Sequence, residues 1–225
     1  MDGNGRWAKQ KKFPRIYGHK NAISAVRQTV EASVELGIKI LTLYAFSTEN
    51  WERPHKEVNF LMRLFEEFLK KEVRSLIDNN IQFKILGHRN RLPAFLKGPI
   101  EHAYEATKAN TGMTLCLAVD YGSRSEILTA CKEIAKKVQA NQLNYEEIDE
   151  SVFSEHLFTK GLADPDLIIR TSGELRLSNF LLWQSAYAEF YFTETLWPDF
   201  NRSELIKALE DYSGRSRRRG KVNDE

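Results

Sequence analysis

The feature that most constrains the fold is a regular alternation of short apolar runs with longer amphipathic segments. Three runs are strand-sized and apolar enough to be buried on both faces of a sheet: ILTLYAF (40–46), IQFKILG (81–87) and MTLCLAVDYG (113–122). Apolar residues recur at helical spacing over 19–36, 57–77, much of 92–109 and 124–139. The alternation predicts an α/β fold with a central, mainly parallel β-sheet flanked by helices.

The rest of the chain extends this pattern. DLIIRTS (166–172) and AEFYFT (188–193) are predicted strands, and SELIKALEDY (203–212) is a predicted helix. No internal repeat or low-complexity linker interrupts the 225 residues, so we expect a single domain over 1–225 with a basic C-terminal tail at 214–225. No apolar run is long enough to cross a bilayer and no signal peptide is present, which predicts a cytoplasmic protein.

The segment 57–77 is the longest predicted helix and carries a wide apolar stripe. The stripe consists of Val58, Leu61, Met62, Phe65, Phe68, Leu69, Val73 and Leu76. Such a stripe most often packs into an ordinary core. Its width also fits a hydrophobic tunnel between the sheet and the helices, which would suit a long apolar ligand. The sequence alone leaves both interpretations open.

The two cysteines, Cys116 and Cys131, have no metal-binding spacing. Both fall in apolar segments, one in a predicted strand and the other in a predicted helix. We therefore expect both to be reduced residues of the core.

The first ten residues, MDGNGRWAKQ, combine groups that suit a phosphate ligand. Gly3 and Gly5 allow a tight turn and a close approach of the backbone to a ligand. Asn4 and Arg6 donate hydrogen bonds to anionic oxygen, and Asp2 is a ligand of the kind that Mg²⁺ prefers. The stretch predicts a diphosphate and metal site, although a frayed terminus is the alternative.

Polar clusters also follow three predicted strands: STENWERP (47–54), DYGSRSE (120–126) and RTSGELRLSN (170–179). Ligands of open parallel sheets bind beyond the carboxyl ends of the strands, so we expect the three clusters to converge on one rim. The candidate site then contains five arginines: Arg6, Arg15, Arg53, Arg170 and Arg176. Guanidinium groups match phosphate oxygens in a bidentate fork, which favours a ligand with several phosphates.

Each of these residues also has an ordinary structural interpretation. A single arginine or glutamate usually belongs to the solvated surface. His19 could cap the first helix, and Trp7 and Trp51 could be core aromatics. Neither a Walker motif nor a complete dinucleotide fingerprint is present, which argues against a nucleotide ligand.

Five blocks in this order resemble the cis-prenyltransferase family over residues 1 to about 220. They are MDGNGRWA, GHK (18–20), LYAFSTENWERP (43–54), DLIIRTSGELRLSNFLLWQ (166–184) and AEFYFTETLWPDF (188–200). The resemblance implies a Mg²⁺-dependent homodimeric enzyme. Such enzymes condense isopentenyl diphosphate repeatedly onto an allylic diphosphate, usually farnesyl diphosphate. The polyprenyl product has Z double bonds; in bacteria it is most often undecaprenyl diphosphate, the carrier-lipid precursor for cell-wall glycans.

The resemblance also implies roles for individual residues. Asp2 and Asn50 match catalytic positions, and Asp2 and Glu189 match metal ligands. Because a neutral amide is a very poor base, we interpret Asn50 as a positioning or relay group, with a diphosphate oxygen as the final proton acceptor. The positions that match substrate contacts are Gly3, Asn4, Gly5, Arg6, Trp7, Arg15, His19, Ser47, Thr48, Glu49, Trp51, Arg53, Arg170, Arg176, Leu177, Ser178, Arg218 and Gly220.

The chain departs from the family pattern in three places. The family usually has a strand before MDGNGRWA, so we expect that strand to be missing upstream of Met1. Asp120 adds a charge in the block DYGSR, which is usually written NYGGR. In the tail, RSRRRGK lacks a phenylalanine that commonly precedes the glycine, although Arg218 and Gly220 keep the Arg-x-Gly pattern that reaches the partner's isopentenyl site.

The sequence is also compatible with several alternative functions. One is a cis-prenyltransferase of different product length, and another is a non-catalytic relative, although such relatives lose the acid and arginines of the first loop. A nucleic-acid binder would depend on one short basic run without interleaved aromatics, so we expect no nucleic-acid partner. Contact with a membrane would arise through the lipid product.

Overall fold

The computed structural model describes residues 1–216. Its helices are α1 (Asn4–Gln10), α2 (Arg15–Glu35), α3 (His55–Asp78), α4 (Ala94–Thr107), α5 (Ser123–Gln139), α6 (Glu150–Ser154) and α7 (Arg202–Ser213). Its strands are β1 (Ile40–Ser47), β2 (Gln82–Leu86), β3 (Thr114–Tyr121), β4 (Leu167–Arg170) and β5 (Glu189–Phe192). Short 3₁₀ turns cover Thr48–Glu52, Arg89–Arg91, Tyr145–Glu147 and Trp197–Asp199.

The chain separates into two compact units. The first contains Met1–Ala32, Asp164–Leu177 and the described residues from Gln184 to 216, and the second contains Ser33–Ala163 and Ser178–Trp183. All strand pairs in both units are parallel, which confirms the predicted α/β class with parallel strands and helices packed on them. A single domain over the whole chain and a hydrophobic tunnel stay predictions.

The second unit contains a three-stranded sheet in the order β1-β3-β2. β3 is the central strand, and every residue from Leu115 to Tyr121 is buried, as expected for a parallel strand covered on both faces. The register of β1 against β3 shifts between Tyr44 and Phe46 and again before Ser47. Such an irregularity bends a strand locally and turns its end, here just before the 3₁₀ turn Thr48–Glu52.

α3 is the longest helix of the described residues and packs with α4 and β2. Six residues of the predicted stripe are buried: Val58, Met62, Phe68, Leu69, Val73 and Leu76. Leu61 and Phe65 are only partly buried. Most of the stripe therefore packs in the core, and Leu61 and Phe65 form an edge that is partly accessible to solvent.

The first unit contains the two-stranded sheet of β4 and β5, with Leu167 paired to Glu189 and Arg170 paired to Phe192. α7 packs on β5, and α1 lies beside the turn Trp197–Asp199. The main-chain N–H of Trp197 donates to the carbonyl of Asp2 over 3.1 Å, and its indole N–H donates to the carbonyl of Ala22 over 3.2 Å. One tryptophan thus connects the start of the chain to α2.

The predicted elements all exist, with ends displaced by a few residues, but the expectation that Cys131 is a core residue was wrong. Residues 4–10 form a helix, α1, that was not among the predicted elements; the N–H of Trp7 donates to the carbonyl of Gly3 and starts its first turn. His19 lies buried inside α2, which already begins at Arg15, so it does not cap that helix. Cys131 is exposed on the outer face of α5, whereas Cys116 is buried on β3 as expected.

Within residues 1–216, no helix combines the length and the apolar character that crossing a membrane requires.

Candidate active site

Two glycines allow three segments of the first unit to meet at the start of the chain. Gly3 has a left-handed backbone (φ 102°), and a Cβ at this position would lie 2.3 Å from Oγ of Ser172. A Cβ on Gly18 of α2 would lie 1.9 Å from the carbonyl oxygen of Asn4. Contacts below 3 Å are impossible for a real side chain, so both positions require glycine for the observed packing.

Asp2 is held at this junction through both its backbone and its side chain. Its carboxylate forms a salt bridge with Arg170 at the end of β4, with 2.6 Å between Oδ2 and the guanidinium nitrogen. Its carbonyl accepts hydrogen bonds from Trp197 N and from Oγ1 of Thr171, the latter over 3.2 Å. The Asp2 side chain remains 43% exposed, so a ligand can still reach its carboxylate.

Two further arginines converge on the turn after β4. Arg6 lies 2.8 Å from a carboxylate oxygen of Glu174 and donates to the carbonyl of Ser172 over 2.9 Å. Arg176 also forms a salt bridge with Glu174, and Arg170 donates to the carbonyl of Arg176. The structure therefore brings Asp2, Arg6, Arg170 and Arg176 together, as predicted from sequence.

We call the set Asp2, Asn4, Arg6, Arg170, Ser172, Glu174 and Arg176 the N-terminal cluster. Oδ1 of Asn4 and Oγ of Ser172 are buried there without a hydrogen-bond partner in the protein. Buried polar atoms of this kind are costly unless a ligand or water completes them. The cluster thus offers three guanidinium groups, the carboxylates of Asp2 and Glu174, and the unsatisfied oxygens of Asn4 and Ser172, which suits a phosphate group with a divalent cation.

Ser172 and Glu174 were missed by the sequence reasoning. Both lie in the TSGEL turn between Arg170 and Arg176. Their position between two predicted phosphate-binding arginines was the sequence signal that could have identified them. The role of Glu174 as a counter-charge for Arg6 and Arg176 depends on how the turn folds. Ser172 itself has a left-handed backbone with φ 76°, a conformation that could not be inferred from the sequence.

The other predicted residues near the start of the chain have varied surroundings. Trp7 is buried and its indole N–H donates to Asp199 over 2.8 Å, in line with its interpretation as a core aromatic. Arg15 lies next to Gly5, whose Cβ would sit 3.2 Å from the arginine Nε. His19 is 8% exposed on the same helix.

In the second unit, the turn after β1 is tied down at two points. Glu49 accepts a hydrogen bond from Asn179 over 2.8 Å, and the indole N–H of Trp51 donates to Asp120 over 2.6 Å. Asp120 is fully buried, and its other carboxylate oxygen lies 3.3 Å from Nε of Arg91. One carboxylate, near the end of β3, thus contacts the segments that follow β1 and β2. We call Glu49, Asn50, Trp51, Asp120 and Asn179 the strand-end cluster.

Hydrogen bonds within this turn order its polar groups. The side-chain oxygen of Asn50 accepts from the main-chain N–H of Ser47 over 3.3 Å, and Thr48 donates to Glu49 over 3.0 Å. Partial burial acts to raise the pKa of Glu49, but hydrogen bonds from Asn179, Ser47, Thr48 and the backbone outweigh burial and hold that pKa below its ordinary value. Glu49 is therefore a stable anion near neutral pH.

The structure brings the segments after β1 and β3 together with Asn179, the last residue of the predicted cluster 170–179. Convergence of the rest of that cluster on the same rim stays a prediction. Ser178, Asn179 and Leu181 all have left-handed backbone conformations, so this segment is tightly wound. Leu177, which precedes Ser178, is the last residue of the first unit's segment Asp164–Leu177. Arg53 lies between the turn Thr48–Glu52 and α3 and pairs with Glu57 over 3.2 Å. Arg218 and Gly220 fall outside the described residues.

The two predicted metal ligands have different partners. Asp2 pairs with Arg170, as described above, and Glu189 on β5 pairs with Arg215 over 2.8 Å. Across residues 1–216, no three histidine, cysteine, aspartate or glutamate side chains gather in a way that could hold a metal by themselves. Mg²⁺ commonly binds through one or two carboxylates together with substrate phosphates, so the donor set at Asp2 fits that mode.

Comparisons with solved structures place this geometry among known proteins. Lavandulyl diphosphate synthase from Lavandula x intermedia, solved with dimethylallyl diphosphate, shares 41% identity and a TM-score of 0.96, covering 98% of this chain and 95% of that chain. A "probable undecaprenyl diphosphate synthase" from Campylobacter jejuni shares 34% identity and a TM-score of 0.78, covering 90% of this chain and 93% of that chain.

Sequence comparisons agree with the structural ones. The chain is 52% identical to an isoprenyl transferase of Bacillus subtilis (strain 168) over 99% of this chain and 85% of the relative. It is 50% identical to an isoprenyl transferase of Oceanobacillus iheyensis, covering 99% of this chain and 88% of the relative. The family described as "Putative undecaprenyl diphosphate synthase" matches residues 1–220. The chain therefore belongs to the undecaprenyl diphosphate synthase family and is a cis-prenyltransferase.

Proposed function

We propose that this cis-prenyltransferase condenses isopentenyl diphosphate repeatedly onto farnesyl diphosphate, with Z stereochemistry, to form undecaprenyl diphosphate. This product is the precursor of the lipid that carries cell-wall glycans. The observation that carries the proposal is the N-terminal cluster: three arginines, the reachable carboxylate of Asp2 and the unsatisfied buried atoms of Asn4 and Ser172. No neutral metabolite would need so many guanidinium groups.

The arginines bind the diphosphates in this proposal. Arg6 and Arg15 with the segment Gly3–Arg6, together with His19, hold the allylic diphosphate. Arg170, Arg176 and Ser178 hold isopentenyl diphosphate, with Leu177 beside them. Arg6 and Arg176 both pair with Glu174 in the described structure, and a diphosphate can exchange for that carboxylate because both side chains are largely exposed.

Asp2 is the residue best suited to hold Mg²⁺, with Glu189 as the second proposed ligand. Both are hard oxygen donors, and their side chains are 43% and 32% exposed. Bound there with a diphosphate, Mg²⁺ would neutralise charge that develops on the leaving group. Ser172 can donate its hydroxyl to a phosphate oxygen, which would supply the partner that its buried oxygen lacks.

The reaction proceeds by departure of the allylic diphosphate and attack of the isopentenyl double bond on the allylic carbon. One carbon–oxygen bond breaks, one carbon–carbon bond forms, and a proton then leaves the isopentenyl unit. The guanidinium groups stabilise the negative charge of the departing diphosphate. Asn50 orients the reacting groups, since its side-chain oxygen is already held by Ser47, and a diphosphate oxygen accepts the proton.

The strand-end cluster supports the substrates in this scheme. Thr48 and Glu49 keep the turn in its conformation, and Trp51 and Arg53 contact substrate. A homodimer completes the site through Arg218 and Gly220 of the tail. We place the enzyme in the cytoplasm, with contact to a membrane through its lipid product and without a nucleic-acid partner.

Incorporation of radiolabelled isopentenyl diphosphate with farnesyl diphosphate as primer tests the proposal. We expect Mg²⁺-dependent incorporation, loss of incorporation with a chelator, and a long polyprenyl product on reversed-phase chromatography. Protein that incorporates no label with any allylic primer would show that the chain is a non-catalytic relative.

A shorter product is the second candidate function. The observation that favours it is the likeness to lavandulyl diphosphate synthase, whose structure contains the short allylic substrate dimethylallyl diphosphate. The same assay distinguishes the two when the primer is changed to dimethylallyl diphosphate. A C10 product as the main species would replace the long-chain proposal.

A further inference from the structure

The segment from the end of α1 to the first turns of α2 is mostly exposed, and the proposed chemistry uses only Arg15 and His19 of its residues. We define it as residues 9–20, KQKKFPRIYGHK, and call it the basic-aromatic segment. All residues from 9 to 17 are exposed. Among them, Phe13, Ile16 and Tyr17 keep 50%, 38% and 48% of their surface accessible. Three large apolar side chains so close together on an exposed stretch indicate a contact surface.

The charged residues around these apolar side chains are all basic. The segment contains Lys9, Lys11, Lys12, Arg15 and Lys20, and residues 3–30 contain no aspartate or glutamate. The whole chain is nearly balanced, with 33 basic and 31 acidic residues, so this local excess is a property of the segment. A surface of this kind complements an anionic partner.

The aromatic rings have a defined arrangement. Phe13 and Tyr17 stack with 5.5 Å between ring centroids, and Nζ of Lys20 lies 5.9 Å from the Tyr17 ring. Tyr17 and Lys20 are three residues apart on α2, so they share a helix face. Apolar side chains with lysine ammonium groups beside them suit the boundary between lipid headgroups and acyl chains. At that boundary the apolar groups enter the acyl region while long cationic side chains reach the lipid phosphates.

Single-stranded nucleic acids fit this arrangement less well. Proteins that bind them offer open aromatic faces on which bases stack. Phe13 and Tyr17 instead use one face each to stack on one another. Ile16 adds aliphatic surface that suits acyl chains better than bases.

We propose that the basic-aromatic segment docks on the surface of a bilayer that contains anionic lipids. Phe13, Ile16 and Tyr17 enter the interfacial region, and Lys12 and Lys20 contact the lipid phosphates. The inference goes beyond the proposed function and rests on exposure and charge, not on catalysis. It assigns a place on the molecule to the membrane contact that a lipid product requires.

Cosedimentation of the full-length protein with vesicles tests this docking without any isoprenoid substrate. One set contains phosphatidylcholine and phosphatidylglycerol in a ratio of about two to one, and the other contains phosphatidylcholine alone. We expect binding to the anionic set, weakened by salt. Lys12→Gln/Lys20→Gln should bind more weakly by about fivefold per lysine, and Phe13→Ser/Tyr17→Ser should bind at least about tenfold more weakly.

Matched controls lie elsewhere on the surface. Lys132→Gln/Lys137→Gln removes the same charge from exposed positions of α5, and Leu128→Ser/Tyr145→Ser removes exposed apolar groups. Both controls should bind like the unchanged protein. Thermal melting of every variant checks that the fold is retained, and Arg15 is left intact because the proposed chemistry uses it.

Four outcomes would overturn the proposal. They are equal binding to neutral and anionic vesicles, no binding to either set, equal losses in the control variants, and a Phe13→Ser/Tyr17→Ser variant that binds normally. Sedimentation velocity that shows a dimer lost in that aromatic variant would assign the surface to a second copy of the chain. Vesicle binding abolished by a short oligonucleotide, with the oligonucleotide bound more tightly, would assign it to nucleic acid.

Discussion

The indole N–H of Trp51 donates a hydrogen bond to the buried carboxylate of Asp120 over 2.6 Å. The two residues lie 69 positions apart in the chain, at the ends of the neighbouring strands β1 and β3. Asp120 has a left-handed backbone with φ 48°, a conformation that aspartate tolerates better than most residues. The charge that distinguishes the block DYGSR is thus used to hold a predicted substrate-binding residue in place.

Replacement of Asp120 should affect both stability and activity. In Asp120→Ala, Trp51 loses its acceptor and Arg91 loses its partner, so we expect a loss of about 1–3 kcal/mol in the free energy of unfolding and a lower kcat/KM. Asp120→Asn keeps an acceptor for the indole and should recover most of the activity. Chemical denaturation and steady-state kinetics measure both effects. If the asparagine variant is as impaired as the alanine variant, the hydrogen bond to Trp51 is not what matters.

Asp2→Ala should abolish turnover and leave the fold intact. The side chain is 43% exposed and its contact is a salt bridge with Arg170, so its loss costs little packing. The variant loses the carboxylate that we assign to Mg²⁺, and higher Mg²⁺ should not restore activity. Initial rates over a Mg²⁺ titration provide the measurement. Asp78→Ala on α3 is an exposed control, and turnover above about a tenth of the unchanged enzyme would refute the assignment.

Arg176→Ala should raise the KM for isopentenyl diphosphate and leave the KM for farnesyl diphosphate nearly unchanged. Loss of a charged hydrogen-bonding group costs about 1.5–3 kcal/mol, which corresponds to roughly 10- to 150-fold in KM. Arg176→Lys should recover only part of this loss because an ammonium group cannot form the planar fork. Arg74→Ala on α3 serves as a control. An equal rise in both KM values would show that the two diphosphate sites are assigned wrongly.

Arg170→Ala should give a broader defect than Arg176→Ala. Arg170 is also the partner of Asp2, so its removal disturbs the residue that we assign to the metal. We therefore expect a higher KM for isopentenyl diphosphate together with a lower kcat. Kinetics with each substrate varied in turn separate the two parameters. A defect confined to the KM for isopentenyl diphosphate would show that the salt bridge with Asp2 has no catalytic consequence.

Gly18→Ala should destabilise the protein and reduce its activity. The added Cβ would lie 1.9 Å from the carbonyl of Asn4, so α1 and the segment around Asp2 must move. Gly98→Ala on α4 is the matched control, since a Cβ there meets nothing within 4 Å. Thermal melting should show a clear decrease for the first variant and a small change for the second. Equal melting temperatures would mean that the close approach of α2 to Asn4 is not required.

The two cysteines should differ sharply in reactivity. Burial raises the pKa of Cys116 to about 11, so its thiol stays protonated at neutral pH, whereas Cys131 is exposed on α5. Iodoacetamide at about pH 8 should therefore modify one site in the native protein and two after denaturation. Mass spectrometry of the labelled peptides identifies the sites. Native labelling of Cys116 at a rate similar to Cys131 would contradict its burial.

Sequence patterns were sufficient to predict most of the helices and strands and the first residues of the candidate chemistry. Apolar periodicity is local, so the runs at 40–46, 81–87 and 113–122 were sufficient to predict β1, β2 and β3. The same holds for α3, whose stripe predicted most of its buried face. Polar residues that directly follow these strands marked the strand-end cluster, because parallel strands end at the same edge of a sheet.

Contacts between residues that are distant in the chain could be identified only from the folded structure. The pairing of Glu174 with Arg6 and the hydrogen bond between Trp51 and Asp120 join segments that sequence spacing cannot relate, and the burial of the Ser172 hydroxyl without a partner is likewise visible only in the folded chain. The exposure of Cys131 likewise depends on which face of α5 packs inward. Hydrogen bonds and salt bridges act over a few ångströms, so their partners are known only when the chain is folded.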